Sequence, residues 1–388
     1  MRLIRFSISN YRSFKEEQEI VFDQNSNVTA IFGPNGSGKT NFFRAVAFFR
    51  DFIRTSTEYR GRHNIVEPFA LTLSNAQKET KFLVQFEKDK DEYEYSFSLL
   101  GGKVTDEYLK RKDIDGSKTI YRRKSISTGR YSEYGFTTEL LNMTREDALL
   151  ITKAWENNNK EASTVFEFLE HLHTIAGTQP VRETSRMAVE SPEFKEKVLK
   201  FLKSADLYIQ NLLINEVNLP ESNIDNLPEE LKKRFSKNYD VFTTHFVYDE
   251  KNGDVIGVKP LSLLGQESNG TRRMYELAFP IIDTLEKGNI LLIDEFELFL
   301  HPRECEYIVQ LFKNKDTNKR NAQLIIMTHA TRLMGQIGKN DIYLFGKNAK
   351  EATIIGKLPG GIRQEDKQIE KKYLKGFFGS IPRVREGF

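Results

Sequence analysis

Residues 28–40, Val-Thr-Ala-Ile-Phe-Gly-Pro-Asn-Gly-Ser-Gly-Lys-Thr, run an apolar strand into a glycine-rich loop, and NFFRAVAFF, from Asn41, carries the spacing of a helix. The loop, Gly33-Pro34-Asn35-Gly36-Ser37-Gly38-Lys39-Thr40, fills every position of the P-loop pattern and does so between strand and helix, the context that pattern demands. Its glycines let backbone N–H groups turn inward around phosphates, and the helix N-terminus adds its dipole. In such a loop Lys39 reaches the β- and γ-phosphates and Thr40 ligates Mg²⁺. A glycine-rich turn without a ligand is the competing reading, and it leaves the filled positions unexplained.

The second half of such a site is an acidic residue at the end of a buried strand. Asn289-Ile290-Leu291-Leu292-Ile293-Asp294-Glu295 supplies it, with apolar residues enough for a core strand of a parallel sheet. Asp294 is then placed to hold Mg²⁺ through water, and Glu295 to orient and deprotonate an attacking water. Further upstream, Glu267-Ser268-Asn269-Gly270-Thr271 precedes an apparent helix from Arg272 to Leu285. It resembles the signature segment of ABC ATPases, in which a serine and a glycine at a helix N-terminus bind the γ-phosphate held by the other subunit. Ser-x-Gly before a helix is also an ordinary cap, and the position ahead of the acidic strand is what distinguishes the two. His329, in LIIMTHA after another apolar strand, resembles the switch histidine that contacts the γ-phosphate.

Around these motifs the first third reads mostly as strand: Leu3–Ser9, Ile20–Phe22, Val28–Phe32, Phe69–Leu73, Lys81–Phe86 and Tyr93–Leu99. Gly101-Gly102 punctuates the last as a hairpin turn. A strand at Thr119–Arg123 carries part of a basic cluster, Lys110-Arg111-Lys112 with Arg122-Arg123-Lys124, which is either a solvated hairpin or a contact for nucleic acid or an acidic partner surface. From Thr137 to Glu216 the spacing is helical, without a sustained heptad repeat, and NLPESNIDNLPEE marks a loop after it. Strands at Val241–Tyr248, Ile290–Ile293, Gln323–Met327 and Ile342–Phe345 then alternate with helices, the βαβ grammar of a parallel sheet. The expected organisation is an α/β ABC-ATPase head of the P-loop NTPase fold: residues 1–135 a β-rich N-terminal lobe, 136–235 a helical insertion, and 236–388 a C-terminal lobe with signature, acidic strand and switch histidine.

Composition sets the bounds. A net charge of +3 on 388 residues, 29% of them charged, makes no global case for a polyanionic partner. One cysteine, Cys305, excludes an internal disulfide framework and fits a reducing cytoplasm. No run approaches the roughly 18 apolar residues of a membrane span. His171 and His173, two apart on a presumed helix, face different directions and make no metal pair.

Within the ABC class, NYRSF near the start, Pro68-Phe69, ESNGT, DEFELFLHP, MTHA and the tail EKKYLKGFFGSIP resemble the abortive-infection and phage-defence ATPases of the RloA/AbiL type. That resemblance implies ATP with Mg²⁺ and a composite site: ATP between the P-loop of one copy and Ser268, Asn269 and Gly270 of a second, in a head-to-tail homodimer or higher homo-oligomer. It also implies a sensor or regulator of a separate nuclease or toxin effector. Three positions depart from the family: Phe299 before Leu300-His301-Pro302, Ala330 after His329, and no assignable coupling glutamine, since Gln266 and Gln323 are explained by the motifs beside them. A DNA-maintenance ATPase resembling RecF is the alternative, and ESNGT and the tail argue against it.

Overall fold

The computed structural model describes residues 1–58, 66–124, 134–179, 181–205, 207–218, 237–358, 369–379 and 381. In chain order, β1 (Arg2–Ser9), β2 (Gln18–Val21) and β3 (Val28–Phe32) lead through the glycine loop into α1 (Lys39–Thr55). Then come β4 (Thr80–Lys88), β5 (Asp91–Leu100), β6 (Lys103–Asp113) and β7 (Gly116–Lys124). α2 (Thr138–Asn142), α3 (Leu150–Glu156), α4 (Lys160–His171) and β8 (Leu172–Ile175) follow, then α5 (Arg182–Glu190) and α6 (Pro192–Ser204). β9 (Asn211–Asn218), β10 (Lys237–Tyr248), β11 (Val255–Ser262) and α7 (Asn269–Lys287) precede β12 (Ile290–Ile293) and α8 (Pro302–Lys313). The chain closes with β13 (Gln323–Thr328), β14 (Ile342–Lys347), β15 (Thr353–Lys357) and α9 (Ile369–Leu374).

Two compact units result: Met1–Ile175 with Lys287–Phe296 and Val309–Phe388, and Ala176–Glu286 with Glu297–Ile308. The first holds an antiparallel sheet ordered β2-β1-β4-β5-β6-β7 and a second sheet ordered β15-β14-β3-β13-β12-β8, parallel except for β15. Helix α1 joins them, because its apolar residues recur at helical spacing on more than one side. Phe42 meets Phe6 of β1 edge-on at 5.5 Å and Phe345 of β14 at 5.8 Å, while Phe49 stacks on Phe97 of β5 at 5.6 Å. Each buried phenylalanine contributes about 2 kcal/mol, so α1 and the loop at its N-terminus are held firmly. The second unit pairs β10 with β9 and β11 in an antiparallel sheet and packs α5, α6 and α7 around its own core, where Ser185 Oγ meets Tyr275 OH at 3.0 Å.

Several expectations need correction. Phe69–Leu73 is not a strand but leads into a 3-10 turn at Leu73–Gln77. The buried side chain of Asn10 satisfies this backbone locally: its Oδ1 accepts from Phe69 N, and its Nδ2 donates to Asn75 O and Lys78 O. The stretch expected to be helical to Glu216 is interrupted by β8 and ends in β9, where Leu212 is buried and Leu213 exposed in strand alternation. The loop expected at NLPESNIDNLPEE lies, apart from its first residue, outside the described residues. The compact units do not follow the divisions at 135/136 and 235/236. Leu150, Ile151, Val165 and Phe168 bury α3 and α4 in the first unit's core, and β10 pairs with β9 in the second unit. Among the described residues no helix is long and apolar enough to cross a membrane.

Candidate functional site

Parallel pairing of β3 with β13 and of β13 with β12 brings three loops to one edge of the sheet, following Phe32, Thr328 and Ile293. The carboxyl edge of such a sheet is where ligands bind in α/β folds. A cleft of about 210 Å³ opens there, lined by Pro34, Asn35, Gly36, Ser37, Gly38, Lys39, Thr40, Asn41, Asp294, Glu295, Met327 and His329. That volume suits a phosphate chain better than a whole nucleotide. Gly33 lies beneath it, where a Cβ would stand 2.5 Å from Phe345 O.

The loop is shaped for an anion. Gly38 has φ 110°, and a Cβ there would fall 2.2 Å from Thr353 Oγ1, so no other residue fits. Helix α1 begins at Lys39 with neither a side-chain cap nor an acidic residue in its first turn, which leaves its amides and its dipole for a ligand. Ser37 Oγ is buried and has no hydrogen-bond partner among the described residues. Lys39 Nζ donates to Gly33 O at 2.7 Å and lies 3.0 Å from His329 Nε2. An ammonium can donate only to a ring nitrogen bearing a lone pair, which assigns the His329 proton to Nδ1 in this arrangement.

On the acidic side, Asp294 is buried and its N–H donates to Ile175 O at 2.8 Å. Glu295 N donates to Asp294 Oδ1 at 3.1 Å, and Glu295 itself adopts φ 52°. Phe296 is buried with its N–H on Met327 O at 3.0 Å, so both neighbours are tied down while the left-handed residue carries its side chain to the surface. Holding a non-glycine residue there costs about 1 kcal/mol. Thr40 and Asp294 offer hard oxygen donors suited to Mg²⁺. No group of three metal-ligating His, Cys, Asp or Glu side chains gathers among the described residues, and a Mg²⁺ held by Thr40 and Asp294 would draw further ligands from phosphate and water.

Sequence reasoning missed the brace behind the loop. Asn41 Nδ2 donates to Ser13 Oγ at 2.9 Å, Thr353 Oγ1 stands 2.8 Å from Ser13 Oγ, and the Thr353 hydroxyl donates to Ser37 O at 2.8 Å. Ser13 belongs to NYRSF, which marked the resemblance but had no chemical role; nothing local marked Thr353. Gln323 is occupied not by the motif beside it but by Leu3, accepting from its N–H and donating to its carbonyl, and Gln266 Oε1 accepts from Ser262 N.

Ser268, Asn269 and Gly270 belong to the second unit and do not line the cleft. Ser268 Oγ accepts from Thr271 N at 3.0 Å, the ordinary cap of α7. A Cβ on Gly270 would lie 3.1 Å from the carbonyl oxygen of Phe299, so the unusual phenylalanine, at φ 63°, makes a close backbone approach to the glycine. Glu267, just before Ser268, takes His245 Nε2 at 2.7 Å and the Thr243 hydroxyl, which anchors the start of the segment to β10.

The remaining candidates take structural roles. His171 ends α4 and His173 lies on β8; their rings bracket the Asn289 side chain, with His171 Nδ1 at 2.5 Å from Oδ1 and His173 Nε2 at 2.9 Å from Nδ2. Most of the basic cluster is paired with carboxylates: Lys110 with Glu94, Arg111 with Glu161, Lys112 with Glu92, and Arg122 with Asp106. Arg123 is committed to Ala148 O, Arg145 O and the buried Glu107. A face neutralised in this way is a poor phosphate contact. Burial pushes the Cys305 thiol up to about 12, with the Glu297, Glu304 and Glu306 carboxylates adding to it, so it is not a nucleophile.

Residues 28–335 match the family described as "AAA domain, putative AbiEii toxin, Type IV TA system". Structural maintenance of chromosomes protein 1 of Saccharomyces cerevisiae is 26% identical over 230 residues, covering 54% of this chain and 16% of that protein. Structural maintenance of chromosomes protein 3 of Caenorhabditis elegans is 24% identical over 257 residues, covering 60% and 17%. The DNA replication and repair protein RecF of Prosthecochloris aestuarii is 41% identical over 59 residues, covering 14% and 15%. The chain thus spans about a sixth of the length of the curated relatives it matches. Among solved structures, the SMC head domain from Thermotoga maritima superposes with a TM-score of 0.44 at 14% identity, covering 92% of this chain and 100% of that one. An SmcHead bound to the C-winged helix domain of ScpA gives 0.48 at 15% identity, covering 93% and 99%.

Proposed function

The chain belongs to the AAA-domain family described as a putative AbiEii toxin of type IV TA systems, and is an ABC-type P-loop ATPase of the SMC- and RecF-like group; from that premise we propose that it binds and hydrolyses ATP between two copies of itself and thereby gates a separate effector. The observation that carries the reading is the convergence of Lys39, Thr40, Asp294, Glu295 and His329 on one polar cleft.

In this mechanism Lys39 and the loop amides hold the β- and γ-phosphates, and His329 contacts the γ-phosphate. Thr40 and Asp294 are the residues that would hold a Mg²⁺, which would supply positive charge against the charge developing on the phosphate oxygens. Glu295 takes a proton from water as its oxygen attacks the γ-phosphorus; the bond to the bridging oxygen breaks and ADP leaves with that electron pair. Adjoining the P-loop, a larger cleft lined by Arg12, Gly36, Asn41, Phe69 and Leu71 offers space for the base. Ser268, Asn269 and Gly270 complete the site from the second copy, so ATP occupancy acts as a dimerisation signal and hydrolysis releases it.

The biological reading, a cytoplasmic sensor of the RloA/AbiL type in anti-phage defence with the nuclease or toxin on another chain, draws on the family and on the tail motif. Purified chain that hydrolyses ATP, loses this in Lys39→Ala and leaves DNA and RNA intact supports it; degradation of nucleic acid by the chain alone contradicts it. The match to RecF favours a second reading, a DNA-maintenance ATPase. That reading requires ATP-dependent binding to duplex DNA without a partner, with a salt dependence set by a few phosphate contacts.

A further inference from the structure

The described tail residues EKKYLKGFFG, 370–379, line no part of the cleft, yet they are fastened to two of the strand ends that form it. Helix α9 lies on the 3-10 turn Thr331–Gly335, which begins two residues after His329. The Thr331 hydroxyl donates to Glu370 Oε1 at 2.7 Å, and Thr331 N donates to His329 O at 2.9 Å. On the neighbouring strand, the buried ring of Tyr373 packs against Phe32, centroids 6.3 Å apart, and Phe32 is the last residue before Gly33 of the P-loop. The segment is also locally well formed. Gly376, at φ 80°, ends the helix with its N–H on Tyr373 O while Phe377 N returns to Lys372 O, the left-handed closure that glycine favours. Beyond the anchored side, Leu374 and Phe377 are exposed.

We propose that Glu370 and Tyr373 are positioning residues for the switch histidine and the P-loop strand, and that this segment carries the nucleotide state of the cleft to the C-terminal part of the chain. The inference rests on the cleft being an ATP site. Contact between His329 and a γ-phosphate fixes the His329 carbonyl, which sets Thr331 N and so the geometry of the Thr331–Glu370 bond. Loss of the γ-phosphate loosens the same short path. A merely structural clasp holds the fold in the same way whatever the nucleotide, which separates the two roles.

The test uses the full chain, with ATP binding and steady-state turnover measured for Glu370→Ala, Thr331→Val, Glu370→Gln and the double variant Thr331→Val/Glu370→Ala. The expected result is a kcat roughly tenfold lower in each of the first two, with ATP affinity within about twofold of the parent. Glu370→Gln, which keeps an acceptor oxygen, should stay near the parent, and the double variant should fall no further than either single. In the parent chain, amide exchange over residues 369–374 should be slower with ATP than with ADP, a readout that stands even if a variant fails to fold. Unchanged kcat in both single variants, or exchange indifferent to nucleotide, overturns the coupling. Failure of the parent chain to bind ATP overturns the reading of the cleft itself.

Discussion

Replacing Thr353 by valine keeps the side chain's shape and removes one buried hydroxyl from behind the P-loop. That hydroxyl donates to Ser37 O at 2.8 Å and stands 2.8 Å from Ser13 Oγ. Each bond is worth about 1 kcal/mol net, and Ser37 O is left without this partner, so a loss of about 2 kcal/mol is expected, a melting shift of roughly 2–4 °C for a chain of this length. The consequence for the ligand is larger than the energy suggests. In a planar trans peptide the carbonyl and the amide point opposite ways, so holding Ser37 O back toward Thr353 turns Gly38 N–H to the opposite side, where the phosphates bind. Release of that peptide should cost about one phosphate hydrogen bond, roughly tenfold in ATP affinity. Titration with a fluorescent ATP analogue, alongside thermal unfolding, measures both effects, with Thr353→Ser as the control that keeps the hydroxyl. A valine variant that melts lower but binds ATP as tightly as the parent would refute the idea that the brace orients the loop.

Asp341 is buried away from water, with Asp23 adding to the effect, which raises its carboxyl to about 6. A raised folded-state value favours the protonated form, so its stabilising contribution is present below about pH 4 and lost as the pH rises through 6. Asp341→Asn should therefore be more stable than the parent by about 1–2 kcal/mol at pH 8 and indistinguishable at pH 4, as read by thermal melts across that range. Glu107, with no exposed surface, accepts from Tyr95 OH, Tyr121 OH, Leu150 N and Ile151 N. Truncation to alanine strands these donors and should cost about 4 kcal/mol or more, visible as a lower denaturation midpoint. Gly270→Ala brings a Cβ to 3.1 Å from Phe299 O; a sub-kcal/mol effect on stability with loss of ATP-driven association is expected by melting and by mass measurement together.

The residues that line the cleft were legible because each sits in a local pattern with a physical reason. A P-loop needs its glycines in sequence, and Ile290–Ile293 announces a buried strand end by being wholly apolar. The parallel sheet then brings Asp294, Glu295 and His329 to the loop. What escaped depends on residues far apart in the chain: Thr353 meets Ser37 across 316 positions, and Gln323 holds Leu3 across 320. No window of sequence contains such a pair. The false strand at Phe69–Leu73 failed for a related reason, since the Phe69 N–H donates not to a neighbouring strand but to the Asn10 side chain, 59 positions earlier. His171 and His173 were read on one helix, and the chain turns from helix to strand between them. The basic cluster was visible as charge, but its carboxylate partners on β5 and α4 were not.

The most direct test of the account is the solution mass of a Glu295→Gln chain, with and without ATP and Mg²⁺, compared with the same chain carrying Lys39→Ala or Ser268→Ala. The account predicts a species of at least two copies that forms with ATP and is lost with either added substitution. A chain that binds ATP through Lys39 yet keeps one mass in every condition would contradict the shared site.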